Sequence, residues 1–136
     1  MVLHLKIIGV LLIVLSLVHV IFPKRFGWQN ELKNLQLINR QLMYVHTFFV
    51  ALVVFLMGVL CLTSANELVE TNLGRKVAFG LWVFWTLRLI FQFFVYSTDL
   101  WRGKKFETAV HVVFSLFWIY LSMVFLGVWC PKLIAF

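Results

Sequence analysis

Four long apolar stretches alternate with shorter polar ones along this chain. The apolar stretches cover about residues 5–22, 43–62, 77–97 and 107–130. Each is close to the roughly 20 residues that an α-helix needs to cross the hydrocarbon core of a bilayer. Runs of this length far exceed a membrane β-strand, and no short apolar-polar alternation accompanies them. The pattern predicts an all-α integral membrane protein, a bundle of four transmembrane helices that forms a single domain over residues 1–136.

The polar stretch between the first two spans has a helical pattern of its own. Between Gly27 and Gln41, apolar residues recur at helical spacing against polar ones, and no Pro or Gly interrupts residues 28–57. An amphipathic helix of this kind lies in the plane of the membrane surface. The pattern therefore predicts either an interfacial helix or an extension of the second span toward its N-terminus.

Composition supports the membrane assignment and excludes several classes of function. Of the 136 residues, 63% are hydrophobic and only 12% are charged, which is too little polar surface for a soluble domain of this size. Four spans also leave no length for a soluble catalytic or nucleotide-binding domain. The net charge of +7 would suggest nucleic acid in a soluble protein. Here we expect loop charge that contacts membrane lipid and no nucleic acid partner.

The distribution of Lys and Arg among the connections predicts the orientation. The first and third connections carry seven of these residues, and the opposite side carries four. The side richer in Lys and Arg normally faces the cytoplasm. This multi-pass protein is thus expected to have both termini on the outer, non-cytoplasmic side.

Three histidines fall at a similar predicted depth, His19, His46 and His111. At a rise of 1.5 Å per residue, each lies roughly 5 Å inside the same membrane boundary. Neutral imidazoles are common ligands of zinc, iron and copper, so the three together form a candidate site for one of these transition metals. Haem is less favoured, because Phe and Trp instead of Gly line this level. For each histidine the simpler alternative is an interhelical hydrogen bond.

The third span carries a polar stripe at i, i+4 and i+8, formed by Arg88, Gln92 and Tyr96. Arg88 is the only basic residue deep in a predicted span, and no acid is expected at its depth. Its guanidinium therefore needs another acceptor, such as helix carbonyls, water near the interface, or an anionic or carbonyl-bearing ligand. Ionisable groups in a span normally face the protein interior, so the stripe predicts part of a polar pocket.

The other spans add candidates to this pocket. Glu107, His111 and Ser115 share one face of the fourth span, and Asn39 lies in register with His46. We predict that Arg88, Gln92, Tyr96, Asn39 and Ser115 bind a ligand and that Glu107 and Tyr96 act in catalysis. The pocket is expected to open toward the cytoplasm.

One glycine per span, Gly9, Gly58, Gly80 and Gly127, lies in the outer half, where we expect the helices to pack closely.

Three classes of function fit these features. The first is a small membrane protein whose polar pocket binds a metal ion, a lipid-soluble or anionic ligand, or both. A membrane metalloenzyme or oxidoreductase would belong to this class. The second is a transporter or proton-relay protein, which intramembrane His and Arg residues would serve. The third is an accessory subunit, in which the polar stripes hold helices together within a homo-oligomer or a larger membrane complex. The sequence does not rank reaction types among them.

Overall fold

The structure, a computed structural model, describes residues 1–95, 100 and 102–134, and these residues contain helices and no strand. Four of the described helices are long and apolar enough to cross a membrane. They are α1 (Val2–Arg25), α3 (Leu37–Thr63), α5 (Asn72–Phe94) and α6 (Lys105–Trp129). Two short helices lie between them, α2 (Trp28–Glu31) and α4 (Ala65–Glu70). The prediction of an all-helical chain with four candidate spans is confirmed for these residues.

The first span ends later than its apolar pattern predicts. Helix α1 continues through Pro23 to Arg25 and is followed by Gly27, which has a φ of +62°. The N–H of Gly27 donates to the carbonyl of Lys24 at 3.3 Å. Glycine adopts this left-handed conformation without steric cost and commonly ends helices. The glycine, and not the proline, therefore sets the end of this span.

The segment between α1 and α3 is less regular than predicted. Helix α2 is a single turn, residues 32–36 belong to no helix, and α3 begins at Leu37, ahead of the predicted start near Met43. The rings of Trp28 and Tyr44 meet edge to face with centroids 5.6 Å apart. Helix α3 does extend beyond the predicted span, whereas a continuous amphipathic helix at the membrane surface stays a prediction.

The chain divides into two compact units, one formed by Leu3–Ala65 and the other by the chain from Asn66 onward together with Met1–Val2. Within the first unit, α1 and α3 approach each other at two glycines. A Cβ atom on Gly9 would lie 2.8 Å from the carbonyl oxygen of Gly58, and a Cβ atom on Gly58 would lie 2.8 Å from the carbonyl oxygen of Gly9. Side chains larger than hydrogen do not fit between these backbones. Close packing at Gly9 and Gly58 is as predicted.

Within the second unit, α5 and α6 pack side by side as an antiparallel pair. Gln92 near the end of α5 contacts His111 in the first half of α6, and Trp82 earlier in α5 stacks on Trp129 at the end of α6. In this pair the glycine prediction is wrong for Gly80, because a Cβ atom there would meet nothing within 4 Å. Gly80 lies on an exposed face of α5, where the absence of a side chain brings no neighbour closer.

Helix α5 begins inside what the sequence predicts to be a loop. Thr71 caps the helix, since its side-chain oxygen accepts a hydrogen bond from the N–H of Gly74 at 2.8 Å. Gly74 lies in the first turn of α5, and a Cβ atom there would overlap the carbonyl oxygen of Glu67 in α4. The glycine therefore permits the tight approach of α4 to the first turn of α5.

Candidate functional site

A chain of three polar side chains connects α5 to α6. The guanidinium Nη1 of Arg88 donates to Oε1 of Gln92 over a long 3.5 Å, one turn apart on α5. The amide Nε2 of Gln92 and Nδ1 of His111 are 2.9 Å apart, and this contact crosses to α6. Gln92 is buried, and Arg88 and His111 are half-buried. The predicted stripe of α5 and the predicted histidine of α6 therefore meet.

Trp118 lies beside this chain and is enclosed by other rings. The Cζ atom of Arg88 is 5.1 Å from the centroid of the Trp118 ring, which is a cation-π contact. Trp85 of α5 stacks on Trp118 with centroids 5.1 Å apart and ring planes 13° apart, and Phe114 stacks at 5.6 Å. These contacts hold the guanidinium against an aromatic surface.

Several buried donors in this helix pair have no hydrogen-bond partner within the described part of the chain. They are Nε1 of Trp85 and Trp118 and the hydroxyl oxygens of Thr86 and Ser122. Trp85 is only 2% exposed and Trp118 only 3%. An indole N–H can only donate, so the two tryptophans require an acceptor from outside the described residues. Buried polar groups without partners are rare in folded proteins and call for an explanation.

Two other residues predicted on α6 are Ser115, whose hydroxyl already makes a hydrogen bond, and Glu107, which is exposed. The hydroxyl of Ser115 is buried and donates to the carbonyl oxygen of His111 at 2.7 Å, within its own helix. Glu107 is exposed in the first turn of α6. Tyr96, which the sequence predicts as a ligand-binding and catalytic residue, lies outside the described residues. Roles of Ser115, Glu107 and Tyr96 in binding or catalysis stay predictions.

The remaining predicted residues belong to the first unit. The ring nitrogen Nδ1 of His19 donates to the carbonyl oxygen of Leu15 at 2.9 Å, a bond within α1 and not the interhelical bond of the simpler alternative. His46 and Asn39 are exposed on α3. No group of three His, Cys, Asp or Glu residues suited to a metal ion occurs among the residues that the structure describes. Metal binding by His19, His46 and His111 stays a prediction without such a group to support it.

Trp85 and Thr86 are not among the residues that the sequence predicts for this site. A signal for Trp85 was present, because Trp85, Arg88 and Gln92 stand at i, i+3 and i+7 and so share one face of α5. Tryptophan counts as apolar in such a pattern, and only the structure shows that its N–H group is buried without an acceptor. No spacing could have indicated Thr86, whose hydroxyl lies off this stripe.

No protein family, curated protein or solved structure matches this chain. The function is therefore inferred from the α5–α6 pair.

Proposed function

We propose that the α5–α6 pair binds, within the membrane, a lipid-soluble ligand whose head group carries hydrogen-bond-accepting oxygen atoms. A single observation supports this most directly: two indole N–H groups, those of Trp85 and Trp118, are buried without an acceptor beside the Arg88 guanidinium. We call Trp85, Arg88 and Trp118 the donor cluster.

The energetics favour a ligand that supplies acceptors. A buried donor left without a partner costs about 1–3 kcal/mol. The donor cluster contains two such groups, and both project from helices that are apolar enough to lie in lipid. Lipid tails offer no acceptor, so a head group with oxygen atoms is the partner that a membrane most readily provides.

The charge of Arg88 favours an anionic head group over a neutral one. A guanidinium is always protonated and presents its donors in a planar fork that matches a carboxylate or phosphate. The guanidinium lies on Trp118, with buried Gln92 one turn away, in a helix apolar enough to lie in lipid. An ionic contact is stronger there than in water. A long-chain carboxylate is therefore a suitable probe of the donor cluster.

We place this site in a multi-pass membrane protein with both termini on the outer side, as the distribution of Lys and Arg indicates. The segment between α1 and α3 is proposed to lie at the membrane surface. Contact between Trp28 and Tyr44 supports this, since Trp and Tyr are enriched at the level of the lipid head groups.

The test is equilibrium binding of a radiolabelled long-chain fatty acid to the purified protein in lipid nanodiscs. Trp85→Phe and Trp118→Phe each remove one N–H group and retain an aromatic ring. We expect each to weaken binding by about 3- to 10-fold, the effect of one hydrogen bond. Trp129→Phe is the matched control, because Trp129 lies at the end of α6, outside the donor cluster.

Two results would overturn the proposal. One is the absence of saturable binding to the wild-type protein. The other is wild-type affinity in both Trp85→Phe and Trp118→Phe, provided that circular dichroism shows unchanged helix content.

A further inference from the structure

The α5–α6 pair contains a further buried donor, the hydroxyl of Ser122 on α6. Ser122 is only 8% exposed, and its hydroxyl oxygen has no hydrogen-bond partner among the residues that the structure describes. It follows Trp118 by four residues and therefore lies on the same face of α6, one turn nearer to Trp129. The row of unpartnered donors thus extends along α6 beyond the donor cluster.

Two other buried serines illustrate the usual partner of a hydroxyl in a helix. Ser16 donates to the carbonyl oxygen of Ile13 at 2.6 Å, and Ser115 donates to the carbonyl oxygen of His111 at 2.7 Å. Both bonds stay within one helix, and serine makes them by rotation of its own side chain. Ser122 makes no such bond with α6. Its hydroxyl is therefore available to a group from outside the described residues.

The distance between Trp118 and Ser122 restricts the kind of ligand that can contact both. Four residues of α-helix rise about 6 Å along the helix axis. The two oxygen atoms of a carboxylate share one carbon atom and lie much closer together than this. A ligand that meets both donors therefore carries a second acceptor, separated from its head group by a short linker.

A carbonyl oxygen suits this second position better than a hydroxyl group. A carbonyl can only accept, so it matches the Ser122 hydroxyl and adds no group that needs a partner. A ligand hydroxyl would add a donor of its own inside the membrane, where lipid tails offer no acceptor. Single-chain lipids with an ester bond have the required arrangement, because a glycerol backbone separates their head group from their ester carbonyl.

We propose that the site selects ester-linked single-chain lipids, with the head group at the donor cluster and the ester carbonyl accepting a hydrogen bond from Ser122. This inference rests on the proposed function, since the donor cluster holds the head group. The acyl chain then points toward the Trp129 end of the helix pair. A fatty acid lacks the second acceptor and binds through the donor cluster alone.

The test compares three radiolabelled lipids of equal chain length: a monoacylglycerol phosphate, its alkyl ether analogue and the fatty acid. In the ether analogue a CH₂ group replaces the ester carbonyl and the phosphate is unchanged. Binding is measured in nanodiscs of dialkyl ether phospholipids, so that the bilayer itself supplies no ester carbonyl. We expect the wild-type protein to bind the ester lipid about 3- to 10-fold more tightly than the ether analogue, the effect of one hydrogen bond.

Ser122→Ala should remove this preference, because it deletes the hydroxyl that meets the ester. We expect it to weaken binding of the ester lipid by about 3- to 10-fold and to change binding of the other two lipids by less than about twofold. Trp118→Phe should weaken all three lipids, since it acts on the head group. Ser16→Ala is the matched control, because it deletes a buried hydroxyl that is engaged within α1, and it should bind all three as the wild-type protein does.

The outcomes separate this inference from the proposed function. Equal affinity of the wild-type protein for the ester lipid and the ether analogue would overturn the inference, and so would an ester preference that persists in Ser122→Ala. In either case the proposed function stands if the fatty acid binds and Trp85→Phe and Trp118→Phe weaken that binding. Absence of saturable binding of all three lipids would overturn the proposed function and this inference together.

Discussion

At the scale of single residues, the site depends on groups that can donate hydrogen bonds but cannot accept them. Arg88 and the N–H groups of Trp85 and Trp118 are of this kind, and the Gln92 carbonyl accepts a hydrogen bond from Arg88. In water such a set would be satisfied by solvent. Between two helices suited to a membrane, the two indole N–H groups have no acceptor among the described residues, and this is the basis of the chemical preference that we propose.

Replacement of Arg88 by lysine tests whether the guanidinium does more than supply charge. Arg88→Lys keeps the positive charge but loses the planar fork and the flat contact with Trp118. We expect fatty acid binding to weaken by roughly tenfold, which corresponds to about 1.4 kcal/mol, at the lower end of the value of a hydrogen bond to a charged group. Binding is measured by the same equilibrium assay.

The control for this substitution is Arg75→Lys, because Arg75 is exposed in the first turn of α5. It should bind the fatty acid as the wild-type protein does. If Arg88→Lys also retains wild-type affinity, the planar geometry of the guanidinium has no part in recognition and a point charge is sufficient.

How far the sequence predicts this site depends on whether a feature lies within one helix or between two. The spacing of Arg88 and Gln92 was enough to place both on one face of α5. The contact between Gln92 and His111 joins residues of different helices, and a shared depth could only suggest it. For His19 and His46 the same reasoning from depth produced a metal site that no group of described residues supports. The position of a residue along its helix predicts how deep in the membrane its side chain lies. It does not predict the direction in which that side chain points.

At the scale of elements, glycines show the same difference between pattern and packing. All four membrane glycines look equivalent in the sequence, yet Gly9 and Gly58 lie where backbones touch and Gly80 faces open space. Helix ends also depended on local chemistry that the apolar pattern does not contain, since Gly27 ends α1 and Thr71 starts α5. Apolar length predicted that the four spans exist, and capping residues determined where they end.

Alanine substitutions at two glycines test this distinction. A methyl group on Gly58 would lie 2.8 Å from the Gly9 carbonyl oxygen and 2.9 Å from the side chain of Ile13. Because one of these neighbours is backbone, α1 and α3 must move apart. We expect Gly58→Ala to lower the free energy of unfolding by about 1–3 kcal/mol, the usual cost of overpacking. Thermal unfolding in detergent, followed by circular dichroism, measures the effect.

Gly80→Ala is the matched comparison. With nothing within 4 Å of the added methyl group, only the better helix propensity of alanine remains. That substitution should be neutral or stabilising by up to about 1 kcal/mol. A loss of stability in Gly80→Ala equal to that in Gly58→Ala would show that the contact between α1 and α3 is not the cause.

At the scale of the whole molecule, composition and hydropathy were sufficient to predict the all-helical character and the four candidate spans of the residues that the structure describes, because a bilayer imposes both the length and the apolar character of each helix. Orientation is a different kind of property. It depends on the difference in Lys and Arg content between the connections when the chain inserts into the membrane. The packing of the helices does not show which side of the membrane a connection faces. The Lys and Arg distribution of seven against four is therefore the observation from which sidedness is argued.

Alkaline phosphatase, which is active only outside the cytoplasm, can report this orientation when it is fused to the C-terminus and expressed in bacteria. An even number of spans places both termini on one side, and the positive-inside rule puts that side outside. We therefore expect an active fusion.

Replacing Arg102, Lys104 and Lys105 by glutamine lowers the number of Lys and Arg residues on the predicted cytoplasmic side from seven to four, equal to the other side. This change should produce two orientations and so reduce phosphatase activity. Replacing Arg75, Lys76 and Lys132 by glutamine removes the same number of charges but lowers the opposite count from four to one, so the fusion should stay fully active. Equal activity in both triple variants would mean that the helices themselves, and not the connections, determine the orientation.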